Sequence, residues 1–194
     1  MIAAIVLAAG QSKRMGQPKM LMPWGKTTVL KHVIDVIRAA GIEDIIVVTG
    51  GEREKVETEI MGVNRIRTVF NAGYESGEML SSIQCGIQEM RAEAEAALIC
   101  LGDQPQVEER SVRLVCDEFL KSRASLVVPS YQMRRGHPWL IARSLWNDFL
   151  KLDASQTPRD FLNAHAEQIR YINVTTSSVI EDLDTPEDYL KYKP

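Results

Sequence analysis

Several things are missing from this chain, and each absence narrows what it does. No apolar run approaches the ~20 residues that cross a bilayer, so no membrane association is expected. The first residues are an apolar run with no basic stretch before it, which does not fit a signal peptide. There is no basic excess: 23 Lys and Arg stand against 26 Asp and Glu, a net charge of −3, which argues against nucleic acid as a partner. The cysteines, Cys85, Cys100 and Cys116, are odd in number and far apart, with no CxxC or zinc spacing. Cys100 ends an apolar run and Cys116 lies on a helix-period apolar face, so buried free thiols and a reducing cytoplasm are expected. No GxGxxG occurs, so the common dinucleotide fingerprint is absent. Gly25-Lys26-Thr27 imitates the end of a Walker A loop, but Met20 stands where that loop needs glycine and no strand precedes it, so Lys26 and Thr27 read as loop and helix cap. No Ser/His/Asp set can be argued from Ser76, Ser81 and Ser82, and His32 and His165 read as structural or solvated.

What is present is an alternation of elements. The chain has 194 residues, 45% hydrophobic and 25% charged, enough for one domain with a sizeable core and no repeat, linker or low-complexity tract. Ile2 to Leu7, Ile45 to Val48, Ala97 to Leu101 and Leu126 to Val128 are short apolar runs of the kind buried on both faces of a parallel sheet, and Ile66 to Phe70 reads as a further strand. Between them lie helical periodicities: Val29, Leu30, Val33, Ile34, Ile37 and Ala40, closed by Gly41; then Glu52 to Ile60; then Leu80, Ile83, Ile87 and Met90; then Val112, Val115, Cys116, Phe119 and Leu120. This βαβ alternation predicts an α/β fold with a mostly parallel sheet. Beyond Pro129 the pattern changes to a polar segment around Gly136-His137-Pro138, a short strand at Trp139 to Ile141, helices at 144–150 and 158–164, a strand at 169–174 and a helix start at Asp184-Thr185-Pro186.

The stretch Leu7-Ala8-Ala9-Gly10-Gln11-Ser12-Lys13-Arg14-Met15-Gly16-Gln17-Pro18-Lys19 ends a buried strand in a turn-rich loop holding Lys13, Arg14 and Lys19. Gly10 and Gly16 permit positive φ and close backbone approach, and the cations suit a triphosphate. The loops at 71–78 and 102–105 also follow strands, so all three are expected at the carboxyl edge of the sheet, where α/β folds bind ligands. Asp103, just past the apolar run 97–101, is the best single carboxylate; beside a triphosphate it suits a hard cation such as Mg2+. Asp184 reads either as a helix N-cap or as a second metal ligand, while Glu181 and Asp182 read as loop charges. His137 lies in a segment expected to be irregular and exposed, where it can meet substrate, and Arg134 and Arg135 can meet an anionic one.

The loop motif resembles the signature of nucleotidyltransferases, and specifically of those that attach a nucleotide to molybdopterin, the molybdenum cofactor cytidylyltransferase branch above all. The segments Asn71 to Gly86 (with Gly77 and Ser81-Ser82), Gly102-Asp103-Gln104-Pro105, Gly136-His137-Pro138 and Asp182 to Asp188 agree in order and spacing. The resemblance implies a single Rossmann-like three-layer αβα domain over residues 1–194, with a nucleotide-binding part at about 1–129 and an acceptor-binding part at about 130–194. It implies transfer of CMP from CTP to the terminal phosphate of molybdopterin with release of pyrophosphate. By likeness, Leu7, Ala8, Ala9, Gly10, Arg14 and Lys19 bind the nucleotide, with Ser81 and Ser82 lining the pocket near base or ribose. Lys19, Arg14 and Asp103 carry catalysis, Asp103 and Asp184 hold Mg2+, and His137 and Arg135 face the acceptor. Where the guanylyl branch has two glycines, this chain has Ala9-Gly10, which leans toward CTP. A molybdoenzyme is a possible partner. Another phosphorylated acceptor, such as a sugar or polyol phosphate, and a non-catalytic accessory role in molybdoenzyme maturation are the alternatives.

Overall fold

The computed structural model describes residues 1–12, 14–76 and 78–194; Lys13 and Gly77, both part of the motifs above, lie outside the described residues. The main strands are β1 (Ile2–Ala8), β4 (Ile45–Thr49), β5 (Ile66–Phe70), β6 (Ala96–Leu101), β7 (Leu126–Tyr131), β9 (Trp139–Ala142) and β10 (Ile169–Asn173). Two short ones, β2 (Pro23–Trp24) and β3 (Thr27–Thr28), pair as a separate ribbon, and β8 (Arg134–Arg135) folds back on β7. The eight-stranded sheet runs in the order β10-β7-β9-β6-β1-β4-β5.

β4, β1 and β6 are parallel neighbours at the centre, which is why their sequences are almost wholly apolar: both faces are covered. β5 and β10, at the two ends of the order, are only half-buried. The short strand expected at 139–141 forms as β9, wedged antiparallel between β6 and β7. Its four residues are all buried.

Alternate residues of β1 feed opposite layers. Ala4, Val6 and Ala8 face the helices α1 (Val29–Ala39), α2 (Arg53–Glu59) and α4 (Glu109–Ser122), through Leu30, Val33, Ile34, Ile37, Val56, Val115 and Phe119. Ala3, Ile5 and Leu7 face α3 (Glu78–Gln88), α5 (Trp146–Leu150) and α6 (Pro158–Ala164) through Leu80, Ile83, Phe149 and Phe161. The result is the expected αβα sandwich. Each fully buried Ile or Leu contributes about 1.5–3 kcal/mol by leaving water. Gly86 sits inside α3 where a Cβ would lie 2.5 Å from Ile5 Cγ2, and the missing side chain lets the helix press on β1.

A third apolar cluster sits beside the first loop. Met15, Met22, Trp24, Val29 and Leu183 pack together under Tyr189 and Tyr192 of the last helix, α7 (Pro186–Tyr192). Tyr189 Oη donates to Pro23 O at 2.6 Å. The chain's far end is thereby fastened to the loop that follows its first strand. One cap assignment shifts by one residue, and the choice between Asp184 and Thr185 falls to the threonine. Thr28, not Thr27, caps α1, because Thr27 is taken up by the β2–β3 ribbon and Thr28 Oγ1 receives Lys31 N–H. Thr185, not Asp184, caps α7, in a capping box with Asp188.

Candidate active site

The loops after β1, β4, β5 and β6 all leave the carboxyl edge of the sheet, as parallel strands require. Part of this edge is a cleft of 310 Å³ lined by Gly10, Gln11, Ser12, Arg14, Met15, Lys19, Tyr74, Glu75 and Asp184. At the same edge of the sheet the backbone is close-packed. A Cβ on Gly50 would lie 2.4 Å from Ala9 O, and one on Gly102 would lie 2.9 Å from Leu7 O.

The first loop is turned on Ser12. Ser12 has φ of 50° and Gly16 of 68°. Met15 N–H donates to Ser12 O at 3.0 Å, and Lys19 N–H donates to Ser12 Oγ at 3.0 Å. Of the two glycines that permit positive φ, Gly16 uses it and Gly10 does not; a Cβ on Gly10 would meet nothing within 4 Å, and the cleft stays open at that point. Burying the Met15 side chain against Trp24 and Leu183 holds the middle of the loop down. Arg14 beside it remains three-quarters exposed.

Lys19 is the centre of the arrangement. Its ammonium forms ion pairs with Asp103 Oδ2 and, at 3.3 Å, with Asp184 Oδ1, and its side chain is only 12% exposed. Burial by itself pulls the Lys19 pKa down, but the Asp103 and then the Asp184 carboxylates outweigh it and hold the value above that of ordinary lysine. Arg14 Nη1 reaches the other oxygen of Asp184 at 3.0 Å. Residues separated by some 80 and 165 positions thus meet at one point.

Asp184 is brought there by its neighbours. Leu183 N–H donates to Asp103 O at 3.2 Å, and the Leu183 side chain is fully buried. Asp182, read from sequence as a loop charge, accepts a hydrogen bond from Gln104 Nε2. Crowding by the protein, followed by the charge of Asp103, pushes its pKa up. The sequence signal for this placement is the alternation Asp182-Leu183-Asp184: one buried apolar residue between two acids sends both carboxylates the same way in extended chain. Among the described residues, no three His, Cys, Asp or Glu side chains make up a complete metal cage. Asp103 and Asp184 nevertheless converge on one cationic point from different loops, an all-oxygen pair of the sort Mg2+ uses together with phosphate oxygens.

The second loop is organised by Asn71. Its Nδ2 donates to Ser81 Oγ at 2.8 Å and Ser82 Oγ at 3.0 Å, and its Oδ1 accepts Gly73 N–H. Ser82 is buried on α3. The two serines therefore brace the loop that carries Tyr74 and Glu75 to the cleft.

His137 is not in the exposed segment expected for it. Its backbone N–H donates to Val179 O at 2.8 Å, Gly136 is packed so tightly that a Cβ would strike Val179, and the ring is partly buried. Desolvation lowers its pKa to about 4, so at neutral pH it is an uncharged donor and acceptor, not a cation for phosphate. Arg135 lies apart from Lys19's cluster in its contacts: Nε donates to Tyr171 Oη at 2.9 Å and Nη1 to Asn163 Oδ1 at 2.7 Å, which orients the guanidinium on β8. His32 packs near Trp24 at 6.2 Å between ring centres, and His165 Nδ1 lies 3.0 Å from Phe161 O. All three cysteines are free; Cys100 and Cys116 are buried, and burial pushes the Cys116 thiol up to about 12. Among the described residues no helix is long and apolar enough to cross a membrane.

Known proteins share this architecture. Residues 4–169 match the MobA-like NTP transferase domain. Molybdenum cofactor cytidylyltransferase of Escherichia coli (strain K12) is 26% identical over 200 residues, spanning 99% of this chain and 95% of that protein. The crystal structure of Rv0371c from Mycobacterium tuberculosis H37Rv superposes with a TM-score of 0.84 at 28% identity, covering 98% of this chain and 97% of that one. A second structure of Rv0371c, in complex with manganese, gives a TM-score of 0.80 at 27% identity over 98% of this chain and 96% of its own.

Proposed function

Because the chain belongs to the MobA-like NTP transferase family, we propose that it transfers CMP from CTP to the terminal phosphate of molybdopterin, with release of pyrophosphate. The observation that carries the reading is the meeting of Lys19 with Asp103 and Asp184 beside a cleft of 310 Å³ that Lys19 and Asp184 line. The full-length likeness to a molybdenum cofactor cytidylyltransferase supports this acceptor, and Ala9-Gly10 supports CTP.

In the proposed reaction a phosphate oxygen of the acceptor forms a bond to the α-phosphorus of CTP, and the bond from that phosphorus to the bridging oxygen of pyrophosphate breaks. A phosphate nucleophile is already ionised at neutral pH, so the site needs no strong base; with His137 uncharged and partly buried, none is assigned. Catalysis rests on alignment and charge. The backbone from Leu7 to Gly10 and the loop turned on Ser12 seat the phosphates, and Lys19 and Arg14 meet the charge gathering on pyrophosphate as it leaves. Asp103 and Asp184 would hold Mg2+, which when bound supplies Lewis-acid charge to the phosphate oxygens; the manganese complex of Rv0371c supports a divalent ion here. Ser81 and Ser82, through Asn71, shape the wall near base or ribose. The acceptor lies along residues 130–194, with His137 and an Arg135 already oriented by Tyr171 and Asn163.

A pyrophosphate-release assay crossing CTP, GTP, ATP and UTP with molybdopterin and with sugar and polyol phosphates tests the reading. Release with CTP and molybdopterin is expected. Release only with another acceptor overturns the acceptor, and release with none overturns transferase activity in favour of an accessory role.

A further inference from the structure

The segment that delivers Asp184 is held at three successive residues, and each is held by a different means. Asp184 is paired with Lys19 and Arg14. Leu183 is fixed by its backbone bond to Asp103 O and by the apolar cluster with Met15, Trp24 and Val29. Asp182 is held by Gln104 Nε2. Gln104 is 2% exposed and is itself seated by backbone bonds on both sides: Gln104 N–H to Leu101 O at 3.4 Å, and Val107 N–H to Gln104 O at 3.2 Å. Its Oε1 is buried with no partner among the described residues, so one hydrogen bond accounts for the orientation of a fully enclosed carboxamide. The amide presents its NH2 end to the Asp182 carboxyl oxygen, which accepts.

We propose that Gln104 is a positioning residue: by holding Asp182 it fixes the distance between Asp184 and Asp103, and so sets the affinity of the site for a divalent cation in the presence of a nucleoside triphosphate. The inference rests on the proposed metal role of Asp103 and Asp184. It follows from chain geometry. Asp103 is next to Gln104 and Asp184 is two residues from Asp182, so the amide–carboxylate bond and the Leu183 backbone bond act as two parallel ties between the carboxylate-bearing segments. With one tie gone, the 181–185 segment pivots on Leu183, and the partly exposed Asp184 carboxylate is no longer aimed.

The test measures Mn2+ binding by electron paramagnetic resonance, with α,β-methylene-CTP present, on the full chain and on variants shown by circular dichroism to be folded at the assay temperature. Gln104→Leu removes the donor at similar volume, and the Mn2+ dissociation constant is expected to rise about tenfold or more, as for other residues that orient a metal ligand. Asp182→Asn keeps an acceptor for the amide while removing the charge, and its affinity is expected to stay within about threefold of wild type. Gln104→Glu is expected to lose affinity as the leucine variant does, and Gln104→Glu combined with Asp182→Asn restores a donor–acceptor pair in reverse and with it the affinity. Wild-type affinity in both Gln104→Leu and Gln104→Glu overturns the positioning role, as does an Asp182→Asn variant that loses as much as Gln104→Leu, since Asp182 then acts by charge. A wild-type protein that binds no Mn2+ overturns the metal reading and the inference with it.

Discussion

Replacing Lys19 with methionine takes one positive charge from between two carboxylates and leaves a side chain of nearly the same length. The two ion pairs lost are unequal. Lys19 is 12% exposed and Asp103 16%, whereas Asp184 is 42% exposed. The Asp184 pair is close enough to solvent to contribute about 0–1 kcal/mol. The Asp103 pair is nearly enclosed, and removing one partner of such a pair typically costs about 3–5 kcal/mol because the other charge is stranded. A loss of about 3 kcal/mol is therefore expected, which in a chain of this size lowers Tm by roughly 6–12 °C. The same stranded carboxylates then become a better cation site. Divalent metal at about a hundred times its Kd adds roughly 2.7 kcal/mol to the folded state, enough to restore most of the loss. The assay is urea unfolding of wild type and Lys19→Met with and without Mg2+. Stabilisation by Mg2+ should be larger in the variant, even though triphosphate binding is weakened. Equal stability of the two proteins without metal, or an equal Mg2+ response, would show that Lys19 does not neutralise these carboxylates.

Three further outcomes are expected. His137 titrates near 4 when folded against about 6.5 when unfolded, so the unfolded chain binds the extra proton between those values; its contribution is present above pH 6.5 and is lost as pH falls, by roughly 3 kcal/mol at most, and His137→Asn should flatten that slope in acid-unfolding curves. Gly86→Ala gains helix propensity but drives a Cβ to 2.5 Å from Ile5, and should lower stability by about 1–3 kcal/mol in chemical denaturation; a more stable variant would contradict the packing account. Thr185→Ala removes the α7 cap and should cost about 1 kcal/mol of stability, while Asp184→Asn should leave stability within about 0.5 kcal/mol and reduce turnover, so that melting curves and rates separate capping from ligation.

The buried strands and their helices were legible because a parallel sheet covered on both faces leaves uninterrupted apolar runs, as at Ile45–Thr49. Trp139 to Ile141 also read as a strand, but nothing local to it says that it runs antiparallel between β6 and β7, since that depends on pairing partners forty residues away in one case. The loop Leu7 to Lys19 and Asp103 were legible from chemistry: glycine, cations and an acid at strand ends. Asp184 looked as much like a cap as a ligand, and only the capping box at Thr185 and Asp188 frees it for Lys19 and Arg14. His137 misled because Gly136-His137-Pro138 has the composition of an exposed turn, whereas residues 177–180 cover it through Val179. Asn71 and Gln104 were visible only as parts of motifs; that one braces Ser81 and Ser82 and the other holds Asp182 is a matter of tertiary contact.

The proposed nucleotidyl transfer takes place at the point where Lys19, Asp103 and Asp184 meet. The most direct measurement incubates α-32P-labelled CTP and molybdopterin with Mg2+ and either wild type or Asp103→Ala, and follows the label by chromatography. Wild type is expected to move the label to molybdopterin with one pyrophosphate released per transfer, and the folded Asp103→Ala protein to move none. Label transfer by Asp103→Ala at the wild-type rate, or no transfer by wild type to any phosphorylated acceptor, would contradict the proposal.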